Sequence, residues 1–415
     1  MNRAEKVTLF ACLYFAQGLP YGFFTQALPV FLREANLSLA QIGGTSLLIL
    51  PWALKFLWAP LADRYGIPRL GLRRSWIIPL QALSVVVLIF ISFFEPSNSL
   101  TIVLIAFLVC NLIAASQDVA TDGLAVDLLK KEERGWANGI QVGGYRIGMI
   151  AGGSAMLIVL AHTGWQAAML AMAACLVIAS LPILFFRERA VLGEMDRTVD
   201  RTLKHRPLTD LKEFLARPLM TRWLLVLVVY KAAHQAASTM IEPWLVDNGY
   251  SLAEIGALTG LFGSGSGLLG AALGAWVASR FDKTKSLVVL AVLQTCATAT
   301  YLLPVTTENA IWKVILATVL DNGISGIATV TLFAAMMDRC RPKHSSSDYT
   351  LQASIVVVSQ TLASALSGAS AEALGYNGHF LAVTAIGLGA IAFVTWALRG
   401  SEAGPEAGQK AGQKA

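Results

Sequence analysis

Apolar residues fall into long runs from one end of the chain to the other, and twelve of these runs are long enough to cross a bilayer. They cover approximately residues 7–32, 39–60, 76–94, 100–128, 136–161, 166–186, 221–246, 252–279, 286–305, 309–337, 348–373 and 377–398. A helix rises about 1.5 Å per residue, so roughly 20 apolar residues span a hydrocarbon core about 30 Å thick. The pattern predicts an all-α membrane protein with twelve transmembrane helices in two six-helix bundles. The first run is too long for a cleaved signal peptide and continues directly into a span.

The polar connections alternate in charge. Arg64, Arg69, Arg73 and Arg74 lie in one, and Lys130, Lys131 and Arg134 in the next but one. A long basic connection from Arg187 to Arg217 follows, then Arg280, Lys283 and Lys285, then Arg339, Arg341 and Lys343. The remaining connections are nearly free of Lys and Arg, with Arg33 and Lys313 as exceptions. The positive-inside rule then places both termini in the cytoplasm.

The charged stretch 187–220 divides the chain. The expected organisation is an N-terminal six-helix bundle over 1–186, a basic cytoplasmic linker over 187–220, a C-terminal six-helix bundle over 221–399 and a disordered cytoplasmic tail over 400–415. The halves resemble each other: Ser38-Leu39-Ala40-Gln41-Ile42-Gly43 opens one span and Ser251-Leu252-Ala253-Glu254-Ile255-Gly256 opens its counterpart six spans later. Two parallel six-span repeats are the architecture of a secondary transporter, with the site at the midplane between them.

Composition agrees with this class and removes others. The chain is 55% hydrophobic and 14% charged, where a soluble domain carries about 25% charged residues. The net charge of +6 is spread over many loops, without the fold signature that nucleic-acid binding requires. The five cysteines are scattered, with no C-x-x-C pair, so neither zinc nor iron–sulfur ligation is expected. Gly265-x-Gly267-x-x-Gly270 matches a dinucleotide fingerprint in form. It lies mid-span with no preceding strand, and is rejected. No Walker A lysine motif is present, so ATP is not the expected energy source.

The candidate chemistry lies inside the spans. Asp118 and Asp122 are one helical turn apart in an apolar stretch and share a helix face. A carboxylate in hydrocarbon persists only beside a partner or a water-filled cavity, and so marks function. Lys55, Arg146, Lys231, His234, Glu242 and Asp321 are the other intramembrane ionisable residues. Arg146, on the span after the aspartates, is the expected partner of Asp118 or Asp122. Lys55 lies near enough to the cytoplasmic face to snorkel, and Asp127 reads as interfacial. Asp63 and Arg64, in a short basic loop, suit a gate built on ion pairs. The aromatics Tyr21, Trp52, Phe56, Tyr145 and Tyr230 lie where they can line a central cavity, which suits a partly apolar organic ligand. His162 and His379 have no recognisable catalytic partner, so the chain is not expected to be an enzyme.

Several segments resemble a known family. Phe15-Ala16-Gln17-Gly18-Leu19-Pro20, Lys55-Phe56-Leu57-Trp58-Ala59-Pro60, Ala115-Ser116-Gln117-Asp118 with Asp122, Gly144-Tyr145-Arg146-Ile147-Gly148 and Tyr230-Lys231 are similar to the muropeptide-permease and acetyl-CoA-transporter branch of the major facilitator superfamily. Within it, Gly22–Pro29, Leu50–Lys55 and Arg74–Gln81 look more like the single-protein siderophore permeases of the pyochelin and rhizobactin type. That resemblance implies proton-coupled import of a ferric siderophore across the bacterial inner membrane. Gln17, Tyr21, Lys55, Asp118, Asp122, Tyr145, Arg146, Lys231, His234 and Asp321 are then the expected binding or coupling residues. The iron would travel inside its chelate, so no resident metal or cofactor is expected, and the proton is the coupling ion. The partners implied are the small-molecule iron–siderophore complex and the lipid bilayer, with the protein a monomer. The alternative cargo is an anhydromuropeptide, and His234, where muropeptide permeases tend to carry an acid nearby, departs from that pattern. A membrane-embedded acyltransferase is the alternative of another class.

Overall fold

The computed structural model describes residues 1–24, 50–67, 69–188, 212–250, 252–306, 310–342 and 344–399. Segment 38–43 of the internal repeat, most of the 187–220 linker and the 400–415 tail lie outside the described residues. Those described are helical throughout, apart from turns and one isolated bridge between Ile67 and Gly71.

Contacts divide the chain into two compact units. Unit 1 comprises residues 1–204 with 336–354, and unit 2 comprises 205–335 with 355–415. Segment 336–354 therefore packs with unit 1, although its neighbours in sequence belong to unit 2.

Unit 1 is built from α1 (Arg3–Gly22), the short helices α2 (Leu50–Leu54) and α3 (Ala59–Arg64), α4 (Arg74–Ile91), α5 (Pro96–Leu128), α6 (Arg134–Ile150) and α7 (Met156–Phe185). A 3-10 turn, Lys55–Leu57, joins α2 to the residues before α3. An Asn2–Glu5 capping box starts α1, satisfying N–H groups that the first turn leaves without partners. Glu188 does similar work at α4, accepting from the N–H of Arg73 at 2.9 Å and of Arg74 at 2.8 Å. The carboxylate reaches them over Gly71, whose φ of +103° suits glycine and where a side chain would strike Glu188.

The most extensive packing in unit 1 joins α1 to α6, and glycine makes it possible. A Cβ on Gly18 would meet the Tyr145 backbone, and one on Gly148 would meet the backbone of Phe15 and Gly18. Within lipid the hydrophobic effect does not drive helices together, so close backbone approach supplies the attraction. The apolar core around this seam stacks Phe23 on Phe107 at 5.4 Å and sets Trp165 edge-on to Phe23 at 6.0 Å. The Trp165 indole N–H, which cannot be left unpaired there, donates to Ile91 O at 3.1 Å.

Unit 2 contains α8 (Met220–Tyr230), α9 (Ala232–Asp247), α10 (Gly265–Arg280), α11 (Lys283–Ala299) and α12 (Ile311–Met337). The long α13 (Ser345–Leu398) begins in unit 1 and continues into unit 2. Gly270 on α10 lies against Gly323 on α12, and Gly326 on α12 against Gly267, a second glycine seam. Lys231 separates α8 from α9 with φ −107° and ψ −7°. The unit 2 core gathers Ala237, Ile241, Trp244, Tyr301, Val314 and Phe380.

Eight helical runs among the described residues are long and apolar enough to cross a membrane. Two of them, Lys131–Phe185 and Ser345–Leu398, are far longer than one crossing needs. Each is broken by a glycine of positive φ, Gly164 at +81° and Gly375 at +67°. The outward faces are apolar as well. On α4, Leu83, Val86 and Phe90 are exposed while Ile77, Gln81, Ser84 and Leu88 are buried. Exposed apolar surface on this scale belongs against lipid.

Candidate functional site

Three buried polar clusters stand out, two in unit 1 and one in unit 2. In unit 1, Asp118 and Asp122 sit one turn apart on α5, as their spacing predicts, and both are buried. They serve different partners. Asp118 forms an ion pair with Lys55. Lys55 also lies over the Trp52 ring, 5.4 Å from its centroid, and the Trp52 indole donates to Asn111 Oδ1 at 3.2 Å. Asp122 accepts from the Tyr14 hydroxyl at 2.9 Å and from Gln141 Nε2 at 3.1 Å.

One alternative falls and one expectation is corrected here. Lys55 does not snorkel: it is 4% exposed and carries the counter-charge of Asp118. Arg146 makes no ion pair with either aspartate. Gln141 and Tyr145, one turn apart on α6, face the Asp122 hydroxyl network and the Trp52 cluster. Arg146 is the next residue round, about 100° away on a helix, half-buried and without a hydrogen bond to any described residue.

Above the ion pair, Tyr21, Trp52 and Tyr145 close into a triangle with ring centroids 5.6–6.2 Å apart. Gln17, one turn before Tyr21 on α1, is fully buried, and neither end of its amide has a partner among the described residues. Gln117 Nε2 and the Trp58 indole N–H are buried and unpaired in the same way. Unsatisfied buried amides are costly.

Toward the end of unit 1 that carries the loop 65–73, Arg73 is the hub. Its guanidinium donates to Asp63 at 2.9 Å, Asp127 at 2.9 Å, Ala62 O at 2.9 Å, Ser345 Oγ at 2.6 Å and Ser346 Oγ at 2.7 Å. Asp63 in turn accepts from the backbone N–H of Ser346 at 3.0 Å and of Ser347 at 2.8 Å, capping the start of α13. Arg134 meets Asp338 at 2.8 Å, and Arg341 forks onto Asp348 through Nε at 2.9 Å and Nη2 at 2.8 Å. Arg64, named with Asp63 as a gate residue, is exposed and lies 5.2 Å from the ring of its own neighbour Tyr65. Asp127 likewise does more than sit at an interface. The sequence signal for this cluster was Ser345-Ser346-Ser347 ahead of an apolar run, a helix-start pattern whose acceptor lies 283 residues away.

In unit 2, His234 joins Asp321. Its Nδ1 shares a hydrogen bond with Asp321 Oδ1 at 3.0 Å, and its Nε2 one with Ser325 Oγ at 2.9 Å. Asp321 also accepts from Thr298 at 3.0 Å and Tyr301 at 3.3 Å. Lys231 donates to Ser325 O at 3.0 Å and Ser325 Oγ at 2.8 Å. Sequence reasoning named the three charged members. It missed Ser325, Thr298 and Tyr301, whose types are unremarkable in a span. Glu242 is exposed, and Asp247 accepts from Tyr376 at 2.6 Å. Among the described residues no cluster of His, Cys, Asp or Glu has the geometry of a metal site.

The Major Facilitator Superfamily profile matches residues 10–356. The chain belongs to that superfamily. It is similar to the anhydromuropeptide permease of Escherichia coli K12, with 29% identity over 89% of this chain and 75% of the relative. A putative transporter AmpG 4 of Rickettsia conorii is 25% identical over 90% of this chain and 92% of the relative. Among solved structures, the Escherichia coli fucose:proton symporter aligns over 94% of this chain and 98% of its own, with a TM-score of 0.69 and 12% identity. A human organic anion transporter aligns over 95% and 100%, with a TM-score of 0.73 and 12% identity. At that identity the two structures speak for the shared fold alone. The protein is thus a multi-pass, all-helical membrane transporter of the Major Facilitator Superfamily, as expected. The narrower resemblance to siderophore permeases finds no counterpart among these relatives.

Proposed function

We propose that this protein is an inner-membrane permease that imports anhydromuropeptides, driven by the proton gradient. The observation that carries this reading is the likeness to the Escherichia coli anhydromuropeptide permease along nearly the whole chain. Site chemistry favours the same cargo over a ferric siderophore. A chelate turns its polar atoms onto the metal, whereas an amino-sugar peptide presents amides and hydroxyls outward. The unpaired amides of Gln17 and Gln117 and the indole N–H of Trp58 suit the second. The ring triangle of Tyr21, Trp52 and Tyr145 offers an apolar wall for a sugar face. Lys55 and Asp118 lie beside it, and Asp118 and Asp122 are the residues assigned to coupling in unit 1.

In this reading the chain has twelve spans. Runs Lys131–Phe185 and Ser345–Leu398 each cross twice, turning at Gly164 and Gly375, and the stretches 7–32 and 39–60 supply the first two crossings. Both termini are cytoplasmic, from the basic loops. The Asp63–Arg73 cluster is then the cytoplasmic gate.

The test is uptake into spheroplasts that lack their own permease, with and without this protein. Labelled anhydromuropeptide should accumulate, and an uncoupler should abolish accumulation. Uptake of a labelled ferric phenolate siderophore with no anhydromuropeptide uptake would reverse the cargo. Accumulation that survives the uncoupler would remove the proton.

A further inference from the structure

Unit 2 carries a second polar feature, a ladder of uncharged side chains between α9 and α13. Gln235 and Thr239 are one turn apart on α9, and Gln360 and Ser364 one turn apart on α13. Gln235 Nε2 donates to Ser364 Oγ at 3.0 Å and to Thr239 Oγ1 at 3.4 Å. Gln360 Nε2 donates to Gln235 Oε1 at 3.3 Å, and the Ser364 and Thr239 hydroxyls lie 2.9 Å apart. The other side of α9 gives Ala237, Ile241 and Trp244 to the core. Glu242 shares the ladder's face: seven helical steps of 100° return it to within about 20° of Gln235. It is exposed, and no described residue pairs with its carboxylate.

Polar side chains that hydrogen-bond across helices often serve only to hold a membrane bundle together. Two observations set this ladder apart. The first is exposure. All four side chains are half-exposed, yet they do not face lipid. The lipid stripe of α13 is Val358, Leu362 and Leu366, 41%, 57% and 68% exposed. It runs two residues out of step with Gln360 and Ser364, about 200° round the helix. The second observation is the kind of group left open. The Gln235 amide and the Thr239 and Ser364 hydroxyls spend their donors on one another and on the Gln235 carbonyl, which Thr239 reaches at 2.8 Å. Gln360 Oε1 has no partner among the described residues. Pro243 has no N–H, so the Thr239 carbonyl lacks the helical donor that position 243 would give. With the Glu242 carboxylate, three acceptors stand open along one strip.

We propose that this strip is a subsite of unit 2 for a short peptide that carries a free ammonium group. It rests on the anhydromuropeptide reading given above, and gives the peptide part of that cargo its place. Peptide N–H groups donate to Gln360 Oε1 and to the Thr239 carbonyl. The ammonium donates to Glu242, a charge-assisted hydrogen bond and the strongest of the set. The second N–H of Gln360 serves a peptide carbonyl. Length agrees as well as sign. From Gln235 to Glu242 the helix rises about 10 Å, the reach of about three extended residues.

The nearest cation on the same side of the span does not compete for Glu242. Lys231 precedes it by eleven residues, about 16 Å along the axis, and is held at Ser325. Water solvates the Glu242 carboxylate until a ligand ammonium replaces it. An anionic ligand would meet the same carboxylate and be repelled, so the strip selects for charge as well as for amide donors.

The test varies ligand and protein together. Three probes share one anhydro-disaccharide: the first carries a peptide ending in lysine, the second the same peptide with the lysine amine acetylated, and the third no peptide. Equilibrium binding to the purified protein in lipid nanodiscs gives a Kd for each. The wild type should bind the first about tenfold more tightly than the second, the yield of one hydrogen bond to a charged group. Glu242→Gln should bring that ratio to about one. Gln360→Leu should weaken both peptide probes about fivefold more than the bare disaccharide, the yield of one neutral hydrogen bond. A variant that only loosens the fold moves all three probes together, so the ratios still decide if one variant folds poorly. A wild type blind to acetylation overturns the subsite, and so does a preference that survives Glu242→Gln. Equal weakening of all three probes by Gln360→Leu reduces the ladder to a link between helices and overturns it too. Disaccharide binding that gains nothing from the peptide removes the subsite and leaves the cargo reading standing. Absence of disaccharide binding sinks the cargo reading. N-terminally acetylated alanyl-alanyl-lysine, with its side-chain amine free or blocked, then decides the subsite alone: binding that needs both the free amine and Glu242 keeps it, and no binding removes it.

Discussion

Lys55 and Asp118 are ion-paired inside unit 1, with the lysine 4% and the aspartate 6% exposed. A buried pair gains little over an apolar replacement, but half of one is expensive, about 3–5 kcal/mol when a single partner is removed. Lys55→Met and Asp118→Asn should therefore each destabilise the protein by about that amount, and the double variant should regain most of it. Thermal unfolding in detergent measures the cycle. If the pair serves the site as well as the fold, transport should stay lost in the double variant. Equal stability of the single and double variants would show that the two charges are not coupled.

The glycine seam between α1 and α6 gives a sharper stability test, because two nearby glycines differ. A side chain at Gly148 would strike the backbone of Phe15 and Gly18, whereas one at Gly143 meets nothing within 4 Å. Gly148→Leu should push the helices apart and cost at least the roughly 1–3 kcal/mol of overpacking. Gly143→Ala should be neutral or gain up to about 1 kcal/mol from helix propensity. Expression level and unfolding temperature distinguish them, and equal effects would place the seam elsewhere.

These two pairs also show how far the sequence could be read. The run lengths and the alternation of basic loops are local properties, and they were legible as a helical membrane fold. The cost of a charge in hydrocarbon made Asp118, Asp122, Lys231 and Asp321 visible as individuals. Which cation meets which anion depends on the rotation of each helix. Arg146 looked the natural partner because it lies on the next span. One residue of rotation sends Tyr145 toward the aspartates and Arg146 away, and Lys55 takes the place. Ser325 and Gln235 carried no signal at all, since a neutral polar residue in a span is common and only its partners, or their absence, give it meaning.

Arg73 is held by two carboxylates, two serine hydroxyls and a carbonyl. Burial alone would lower the pKa of its guanidinium, and Asp127 and Asp63 more than offset that, so it stays charged. A lysine has neither the fork nor the reach to serve five acceptors. Arg73→Lys should retain the charge and still lose most transport, with segment 336–354 more open to proteolysis. Wild-type transport by Arg73→Lys would mean that charge alone suffices there.

Cys340 reports on the same segment. Burial pushes its thiol well above the ordinary value, and Asp348 adds to the shift. Only the thiolate reacts with a maleimide. With the other cysteines replaced by serine, labelling of Cys340 should be slow at pH 7 and quicken as the pH rises toward its raised value. Asp63→Ala removes the acceptor of the Ser346 and Ser347 N–H groups and should free the segment, so that labelling at pH 7 approaches the rate of an open thiol. Fast labelling of the parent at pH 7 would show that the segment is not held against unit 1.

Gln17 separates function from stability. Its amide is fully buried, with no partner at either end among the described residues, and each such group costs about 1–3 kcal/mol. Nothing in the fold of unit 1 gains from it. Gln17→Met keeps the shape of the side chain and removes both polar atoms, so the unfolding temperature should rise. If the amide is kept to bind the cargo, the same change should raise the KM for anhydromuropeptide uptake while exchange of bound cargo continues. A gain in stability bought with lost binding is the usual relation at a site tuned for a ligand. A fall in unfolding temperature would instead make Gln17 a structural residue and return the cargo-binding role to Gln117 and Trp58.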